Sequence, residues 1–288
     1  MSDGRAQPGE GTISIADYYE RKTQQIVERY GPGPRIHYHT GLIDEPQAPC
    51  SAIPLLRRRL VAAQERMLAY AADVWGAART LNGRVLDVGC GLGGGAIFWA
   101  QEFGAGVTAV TCVPSHLDLV ARFAAEAGVT PRVRPLLCDA HAIPGKDCFD
   151  TAIAIDSSGY FERGRWFRHL AHLLRRNGHV FTFDCFLGDA KYKALFRRHW
   201  HCGIGSMEEY LDAASAAGFV TESIEDVSPA AARFWSTTLA LIGAETREAK
   251  SHPSSLSRLE DSARAHAEVL DGVTSGGLRH LLISFVRT

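Results

Sequence analysis

The sequence lacks an excess of charge of either sign. Its 288 residues include 31 Lys and Arg against 32 Asp and Glu, which gives a formal net charge of -1. Proteins that bind nucleic acid or an anionic membrane surface usually carry a basic patch. The composition therefore predicts neither nucleic acid nor a membrane as a partner. It favours a small-molecule substrate and leaves open whether the chain forms a homo-oligomer.

The sequence also lacks paired cysteines and long apolar runs. The 7 cysteines are odd in number and form no CxxC pair, so we expect neither a disulfide framework nor a metal site. No run reaches the roughly 18 apolar residues of a membrane span. The stretch from Met1 to Gly11 has no apolar segment of the kind found in signal peptides. These absences predict a cytoplasmic protein.

Short apolar segments alternate with helical ones from residue 84 onward. This alternation is typical of βαβ units, which build a parallel sheet. The pattern predicts an α/β fold with a doubly wound, mostly parallel seven-stranded sheet. Its strands are expected at 84–88, 107–111, 133–138, 151–155, 178–186, 219–227 and 278–286.

Helical spacing also precedes and follows the main sheet pattern. Apolar residues recur at helical intervals over 13–30 and 55–75, with a Gly-Pro-rich break between them. We expect residues 1–80 to form an N-terminal helical lid with a substrate loop. Residues 81–288 are expected to form the core, with a helical insertion near 230–272.

A glycine-rich turn follows the first predicted strand. It reads Asp87-Val-Gly89-Cys-Gly91-Leu-Gly93-Gly94 and opens a helix. Glycines at such a turn let the backbone approach a ligand closely, and the helix N-terminus favours negative groups. In open α/β sheets, ligands bind at the carboxyl ends of the strands. The turn is therefore the first candidate binding site.

The same glycines match the GxGxxG pattern of dinucleotide-binding proteins. Two features argue against such a cofactor. Asp87 would repel a pyrophosphate but can accept hydrogen bonds from an α-ammonium group. The acidic residue expected about 20 positions after the glycines is also missing, because Thr111 stands near that point with no acid beside it. A glycine turn that binds nothing is the plainer alternative.

Residues 84–186 resemble the core of class I S-adenosylmethionine-dependent methyltransferases. The second strand and its end, Ala109-Val-Thr111-Cys-Val, are similar to those of the tocopherol methyltransferase and cyclopropane-synthase branch. The resemblance implies that S-adenosylmethionine is the cofactor, with Thr111 at its ribose and Asp139-Ala140 at its adenine. The cofactor-binding residues that it implies are Asp87, Gly89, Cys90, Gly91, Thr111, Cys112, Asp139 and Ala140.

A closer resemblance, from about residue 35 onward, is to bacterial geranyl diphosphate C-methyltransferases. The segments that carry it are His37-Tyr-His39-Thr-Gly-Leu42, Asp156-Ser-Ser-Gly-Tyr-Phe161, His199-Trp-His-Cys202 and Gly277-Leu-Arg-His-Leu-Leu-Ile283. The resemblance implies that Asp156 stands where the family has a catalytic Glu. It implies that His37, His39 and Tyr160 belong to the same active site.

One departure bears on the substrate. The family has polar and basic residues after the position of Cys202, whereas this chain has Gly203, Gly205 and Met207. Neither a missing side chain nor a thioether binds phosphate well, so a free diphosphate substrate is less expected here than in the family. Magnesium would be needed only if the substrate is a diphosphate.

The nucleophile decides which residues carry the chemistry. Methylation of a carbon–carbon double bond leaves a carbocation, which needs aromatic faces and then a base. Asp156 is the candidate base. The candidate aromatic residues that would face the carbocation are Tyr160, Trp200 and Phe186. Methylation of a hydroxyl or amine would instead need a histidine near the methyl group. The candidates are then His37, His39, His199 and His201.

The sequence thus leaves three functions open. The first is a C-methyltransferase of a small isoprenoid or terpenoid in specialised metabolism. The second is an O- or N-methyltransferase of an aromatic or polyketide-like molecule. The third is an inactive binding or scaffold subunit, against which the intact Asp87-x-Gly89-x-Gly91 turn argues.

Overall fold

The fold was analysed in a computed structural model that describes residues 13–249 and 253–288. The segment from Met1 to Gly11, on which the prediction of no signal peptide rests, lies outside the described residues. The strands are β1 (Arg84–Val88), β2 (Gly106–Thr111), β3 (Val133–Leu137), β4 (Phe149–Ile155), β5 (Leu174–Leu187), β6 (Phe219–Asp226) and β7 (Leu278–Arg287). The helices are α1 (Ile15–Tyr30), α2 (Ile53–Val74), α3 (Ala77–Thr80), α4 (Gly94–Phe103), α5 (Pro114–Glu126), α6 (Arg163–Leu173), α7 (Lys193–His199), α8 (Met207–Ala216), α9 (Ser228–Glu248) and α10 (Pro253–Thr274).

The seven strands form one sheet in the order β3-β2-β1-β4-β5-β7-β6. The first five pair in parallel, and β7 runs antiparallel to both β5 and β6. The prediction of a doubly wound, mostly parallel seven-stranded sheet is therefore confirmed. The strand order reverses between β1 and β4, and this switch point opens a crevice at their carboxyl ends.

Helices cover both faces of the sheet, and each face has its own apolar core. On one face the Trp75 ring stacks on Phe181, with centroids 5.0 Å apart. On the other face Phe167 packs edge-on against Phe285 at 5.5 Å. Both faces must be covered because a parallel sheet is apolar on each side.

The loop between α1 and α2 is held in place by backbone hydrogen bonds to α2 and α9. Ser14 caps the N-terminus of helix α1, and its side chain accepts a hydrogen bond from the Asp17 N–H. Within the loop, the Leu42 N–H donates to the Ala63 carbonyl on α2 at 2.9 Å, and the Ile43 N–H donates to the Ala230 carbonyl on α9 at 3.3 Å. The loop is thereby held over the carboxyl ends of the central strands.

The helical region expected near 230–272 consists of α9 and α10, which pack on each other. The division into a lid and a core stays a prediction. Helix α7 was not expected from the sequence. In the described parts of the chain, no helix is both long and apolar enough to cross a membrane.

Candidate active site

A first cavity, with about 940 Å³ of empty space, lies at the carboxyl end of β1. Six residues with a predicted cofactor role line it: Asp87, Gly89, Cys90, Gly91, Thr111 and Cys112. They come from the glycine turn and from the end of β2.

The glycine turn needs glycine for two separate reasons. Gly89 and Gly91 have φ of 74° and 54°, a left-handed conformation that side chains disfavour. A Cβ at Gly89 would lie 2.5 Å from Ser157 Cβ, so that position is closed by packing. A Cβ at Gly91 would have nothing within 4 Å, so that position opens into the cavity.

Asp87 is a buried carboxylate at the wall of this cavity. Burial raises its pKa to about 7, and no hydrogen bond or cation among the described residues opposes that effect. A buried charge without a partner is costly. The site is therefore arranged to receive a donor or a positive group at Asp87.

A second cavity, with about 740 Å³ of empty space, adjoins the first. Aromatic rings from helices and loops far apart in sequence line it: Tyr19, Tyr30, Tyr38, Tyr160, Phe196, Trp200, Phe234 and Trp235. Among the described residues, neither Arg nor Lys belongs to its lining or to that of the first cavity. The second cavity therefore suits an apolar or cationic guest better than an anion.

Five residues line both cavities: Tyr19, Tyr38, His39, Asp156 and Tyr160. They come from α1, from the loop after it and from the segment after β4. Three of them, His39, Asp156 and Tyr160, are predicted catalytic residues. The structure thus brings them to the boundary between a cavity at the glycine turn and an aromatic cavity.

Asp156 lies directly after β4 in a left-handed backbone conformation, with φ of 44°. Its N–H donates to the Phe183 carbonyl at 2.8 Å, and its Oδ2 accepts from the Thr40 N–H at 2.6 Å. Burial and the negative charge of Asp184 raise the pKa of Asp156 well above its ordinary value. An unusual backbone conformation held by its neighbours is common at functional sites.

The two predicted histidines have different environments. The His37 Nε2 pairs with Glu65 Oε1 at 2.7 Å, and its ring packs on Gly94. His39 uses Nδ1 as a donor to the Thr40 carbonyl at 2.9 Å, which leaves a lone pair on Nε2. That Nε2 is buried without a partner among the described residues. Burial lowers the pKa of His39 to about 3, so the ring is neutral.

Of the three aromatic residues predicted for the site, two line the second cavity and the third does not. Tyr160 and Trp200 line the second cavity, and the Tyr160 hydroxyl, which lies 2.8 Å from the Tyr19 hydroxyl, donates to the Trp200 carbonyl at 3.1 Å. Phe186 packs instead against Tyr210, with centroids 5.4 Å apart, on the other face of the sheet. Cys185, the residue before it, lines the second cavity, whereas Phe186 does not.

Asp139 and Ala140 do not line the first cavity. The Asp139 carboxylate is exposed and accepts a hydrogen bond at 2.8 Å from the N–H of His141 in its own turn. Ala140 is buried in the apolar core. Their role in holding adenine stays a prediction.

Four residues of the segment 197–207 do not line the second cavity: Arg197, Arg198, Gly205 and Met207. Arg197 and Arg198 are exposed on α7, and Arg198 pairs with Glu268 at 3.2 Å. Gly205 is buried and Met207 packs against the apolar core. Over the described residues, no cluster of three or more His, Cys, Asp or Glu side chains could hold a metal ion.

Sequence reasoning missed one buried carboxylate, Asp184 on β5, which lines the second cavity. The sequence signal for this residue is an aspartate within the apolar run from Val180 to Phe186. A strand with such a run is buried on both faces, so its aspartate is expected to be buried as well. It also missed the aromatic residues of α9, which come near the site only through folding.

Comparison with known proteins agrees with the resemblance seen in the sequence. Residues 85–178 match the family model described as a methyltransferase domain. A geranyl diphosphate 2-C-methyltransferase of Streptomyces lasalocidi is 25% identical over 237 residues, which cover 77% of this chain and 78% of that protein.

Solved structures share the whole fold at lower identity. A geranyl diphosphate methyltransferase in complex with geranyl diphosphate and sinefungin superposes with a TM-score of 0.80 at 22% identity, over 95% of this chain and 97% of that one. The geranyl diphosphate C-methyltransferase of Streptomyces coelicolor, with Mg2+, geranyl-S-thiolodiphosphate and S-adenosyl-L-homocysteine, gives 0.78 at 20% identity, over 95% and 96%. Residues 85–178 thus carry a methyltransferase domain, the fold of the chain is that of class I methyltransferases, and the prediction of an enzyme is confirmed.

The unpaired carboxylate makes the stability of the protein depend on pH. Asp87 deprotonates near pH 4 in the unfolded chain and near pH 7 in the folded one. The folded state thus binds more protons between these values, and stability falls as pH rises through them. We expect Asp87→Asn, which mimics the protonated group, to stabilise the protein at pH 8 by on the order of 3 kcal/mol. At pH 4 the two proteins should be equally stable.

Urea unfolding at both pH values measures this difference. Asp118→Asn on the exposed side of α5 removes the same charge from the surface and should change stability by less than about 0.5 kcal/mol. Equal stability of wild type and Asp87→Asn at pH 8 would show that Asp87 is solvated or paired.

Proposed function

We propose that this chain transfers a methyl group from S-adenosylmethionine to a carbon atom of an apolar isoprenoid or terpenoid acceptor in specialised metabolism. The observation that carries the proposal is the junction of the two cavities. A carboxylate with a raised pKa, Asp156, lies where the glycine-turn cavity meets an aromatic cavity whose described lining has neither Arg nor Lys.

The first cavity fits S-adenosylmethionine. The buried, unpartnered carboxylate of Asp87 suits the α-ammonium group, and the open space at Gly91 leaves room for the ligand backbone to approach. Thr111, which lines this cavity at the end of β2, would contact the ribose hydroxyls. Similar folds bind sinefungin and S-adenosyl-L-homocysteine. When bound, the cofactor supplies a methyl group that is already activated for displacement.

The protein's own task is then to orient the acceptor and to manage the charge that forms on it. Aromatic faces such as Trp200, Trp235 and Tyr38 stabilise a carbocation. Burial lowers the pKa of His266 to about 3 and that of His280 to about 4, so neither ring carries a positive charge against the cation. Asp156 then takes the proton whose loss restores the double bond.

The same lining argues against a diphosphate. Diphosphates are usually held by Arg or Lys or by magnesium, and the described lining offers Asp156 and Asp184 instead. The Streptomyces coelicolor structure contains Mg2+ with its diphosphate ligand. We therefore propose an acceptor without a diphosphate, and no magnesium requirement.

An O- or N-methyltransferase is the second candidate function. Aromatic rings and carboxylates also bind an amine, whose ammonium form is a cation like the one above. The free Nε2 of His39 lies at the cavity boundary and could accept a proton from a hydroxyl. The identity of the methylated atom distinguishes the two functions.

Helix α1 and the following loop would act as the lid. The Tyr18 hydroxyl donates to the His199 carbonyl at 2.9 Å beside the second cavity. On the side of the first cavity, Thr23 Oγ1 lies 2.9 Å from His116 Nε2. Because α1 spans both cavities, it would keep water from a cation formed between them. Cytoplasmic location stays a prediction, and whether the chain forms a homo-oligomer stays open.

Gly91→Ala should abolish tight binding of S-adenosylmethionine. The added Cβ projects into the first cavity, where the proposal places the cofactor. Gly128→Ala is a matched control, because Gly128 also has a left-handed φ, of 71°, and open space around it, but lies far from the cavity. Both variants carry similar backbone strain.

Calorimetric titration with S-adenosylmethionine measures the difference. We expect at least about a hundredfold weaker binding for Gly91→Ala, corresponding to about 2.7 kcal/mol, and no change for Gly128→Ala. Equal affinity of the two variants for S-adenosylmethionine would show that the cofactor does not bind at the glycine turn.

An acceptor panel with methyl-labelled cofactor tests the substrate class. Neutral prenols and terpenoid alkenes should accept label, whereas geranyl diphosphate should accept little with or without magnesium. We expect this because the described lining of the second cavity has neither Arg nor Lys to bind a diphosphate. Rapid labelling of geranyl diphosphate that requires magnesium would contradict the proposal, and labelling of amines or phenols alone would favour the second candidate.

Asp156→Asn should lower turnover about tenfold to a hundredfold, as loss of a general base does. Asparagine keeps an oxygen that can accept the Thr40 N–H, so the loop should stay in place. The dissociation constant for S-adenosylmethionine, measured on the same preparation, should remain within about twofold of wild type. Full turnover in this variant would assign the proton to another group or to water.

A further inference from the structure

We propose that Asp184 is a positioning residue for proton transfer, because its negative charge, held in place by the turn after Asp156, makes the Asp156 carboxylate a stronger base. The inference rests on the proposed function, in which Asp156 takes a proton from the methylated acceptor. It assigns a task to a buried carboxylate that the proposed chemistry does not otherwise use.

The fold brings the two carboxylates together in neighbouring strands. β4 and β5 pair in parallel up to Ile155 and Phe183, and each aspartate is the next residue. The Asp156 N–H donates to the Phe183 carbonyl at 2.8 Å, which fixes this register at the end of β4. Both side chains line the second cavity.

The turn that follows Asp156 wraps around the carboxylate of Asp184. Its Oδ2 accepts from the Ser158 hydroxyl at 2.6 Å and from the Gly159 N–H at 3.2 Å. Its Oδ1 accepts from the Cys185 N–H at 2.8 Å. Asp184 is thus satisfied by the protein itself, which argues for a fixed charge and against a role as a direct ligand of the acceptor.

The two carboxylates are stabilised unequally. Three donors hold the charged form of Asp184, whereas Asp156 accepts from Thr40 alone. Two buried carboxylates at one site cannot both ionise freely. The negative charge therefore stays on Asp184 and the proton goes preferentially to Asp156. A carboxylate that holds a proton more tightly is also a better acceptor for one.

The histidine, tyrosine and cysteine side chains that line the second cavity with the pair do not titrate near neutral pH. Burial raises the pKa of Tyr19, Tyr160, Cys185 and Cys202 well above their ordinary values, and that of Tyr210 to about 12. Burial lowers the pKa of His39 to about 3 and that of His280 to about 4. These groups belong to α1, the loop after it, the turn after β4, β5, the segment after α7, α8 and β7. Within the second cavity, a titration between pH 5 and 9 therefore belongs to the carboxyl pair, whereas the titration of Asp87 belongs to the first cavity.

Removing the charge of Asp184 should lower the pKa of Asp156. A direct test is the pH titration of protein labelled with carbon-13 at the aspartate carboxyl groups. The signal lost in Asp156→Asn identifies Asp156. In Asp184→Asn its midpoint should move to lower pH by at least about one unit, the effect expected for a like charge nearby. This readout needs no acceptor, so its failure is distinct from a failure of the proposed function.

Two further variants separate charge from structure. Asp184→Glu keeps the charge and should keep the Asp156 midpoint near that of wild type. Ser158→Ala removes the hydroxyl donor, weakens the charge on Asp184 and should also move the midpoint of Asp156 to lower pH, which provides a test if Asp184→Asn does not fold. With an acceptor from the panel and saturating cofactor, the rise of kcat with pH should shift in the same direction.

An Asp156 midpoint that is the same in wild type, Asp184→Asn and Ser158→Ala would overturn the proposal. So would an Asp156 that titrates near pH 4 in wild type. A loss of turnover in Asp184→Asn with an unshifted pH profile would assign Asp184 a purely structural role in holding the turn 157–160.

Discussion

Two carboxylates at the switch point of the sheet, the buried Asp87 and the half-buried Asp156, have no cation paired with them among the described residues, and the rest of the site depends on this constraint. Asp87 lines the first cavity, and Asp156 lies at the boundary between the first and the second cavity. Burial alone raises the pKa of Asp87 to about 7, and burial with a neighbouring charge raises the pKa of Asp156. Such groups weaken the fold at neutral pH, so a site that retains them indicates a functional use.

The loop between α1 and α2 connects these carboxylates to the rest of the molecule. Gln64 on α2 donates to the carbonyls of His37 and His39 at 3.3 and 2.9 Å, and the Thr40 N–H reaches Asp156 at 2.6 Å. The same loop packs on the helix that opens at Gly94. The position of the boundary between the cavities is thus set by helix–loop contacts that lie outside the sheet.

The parts of the site that could be predicted from sequence are those with a local cause. The glycine turn could be predicted because all of its residues lie in one short segment at the end of an apolar strand. Asp156 followed from its place after β4 and from the resemblance. The aromatic cavity could not be predicted, because Tyr19, Trp200 and Trp235 approach each other only after folding. Phe186 was assigned to the wrong face, since apolar residues on both sides of a buried strand hide which side faces a cavity.

Central to the proposed function is the transfer of a methyl group across the boundary at Asp156 onto a carbon atom. Carbon-13 NMR of the product formed with [methyl-13C]-S-adenosylmethionine tests it most directly. Coupling of the labelled methyl group to an adjacent acceptor carbon, in product made by the wild-type enzyme from a carbon-13-enriched terpenoid, is the predicted result. A labelled methyl group bonded to oxygen or nitrogen would contradict the claim.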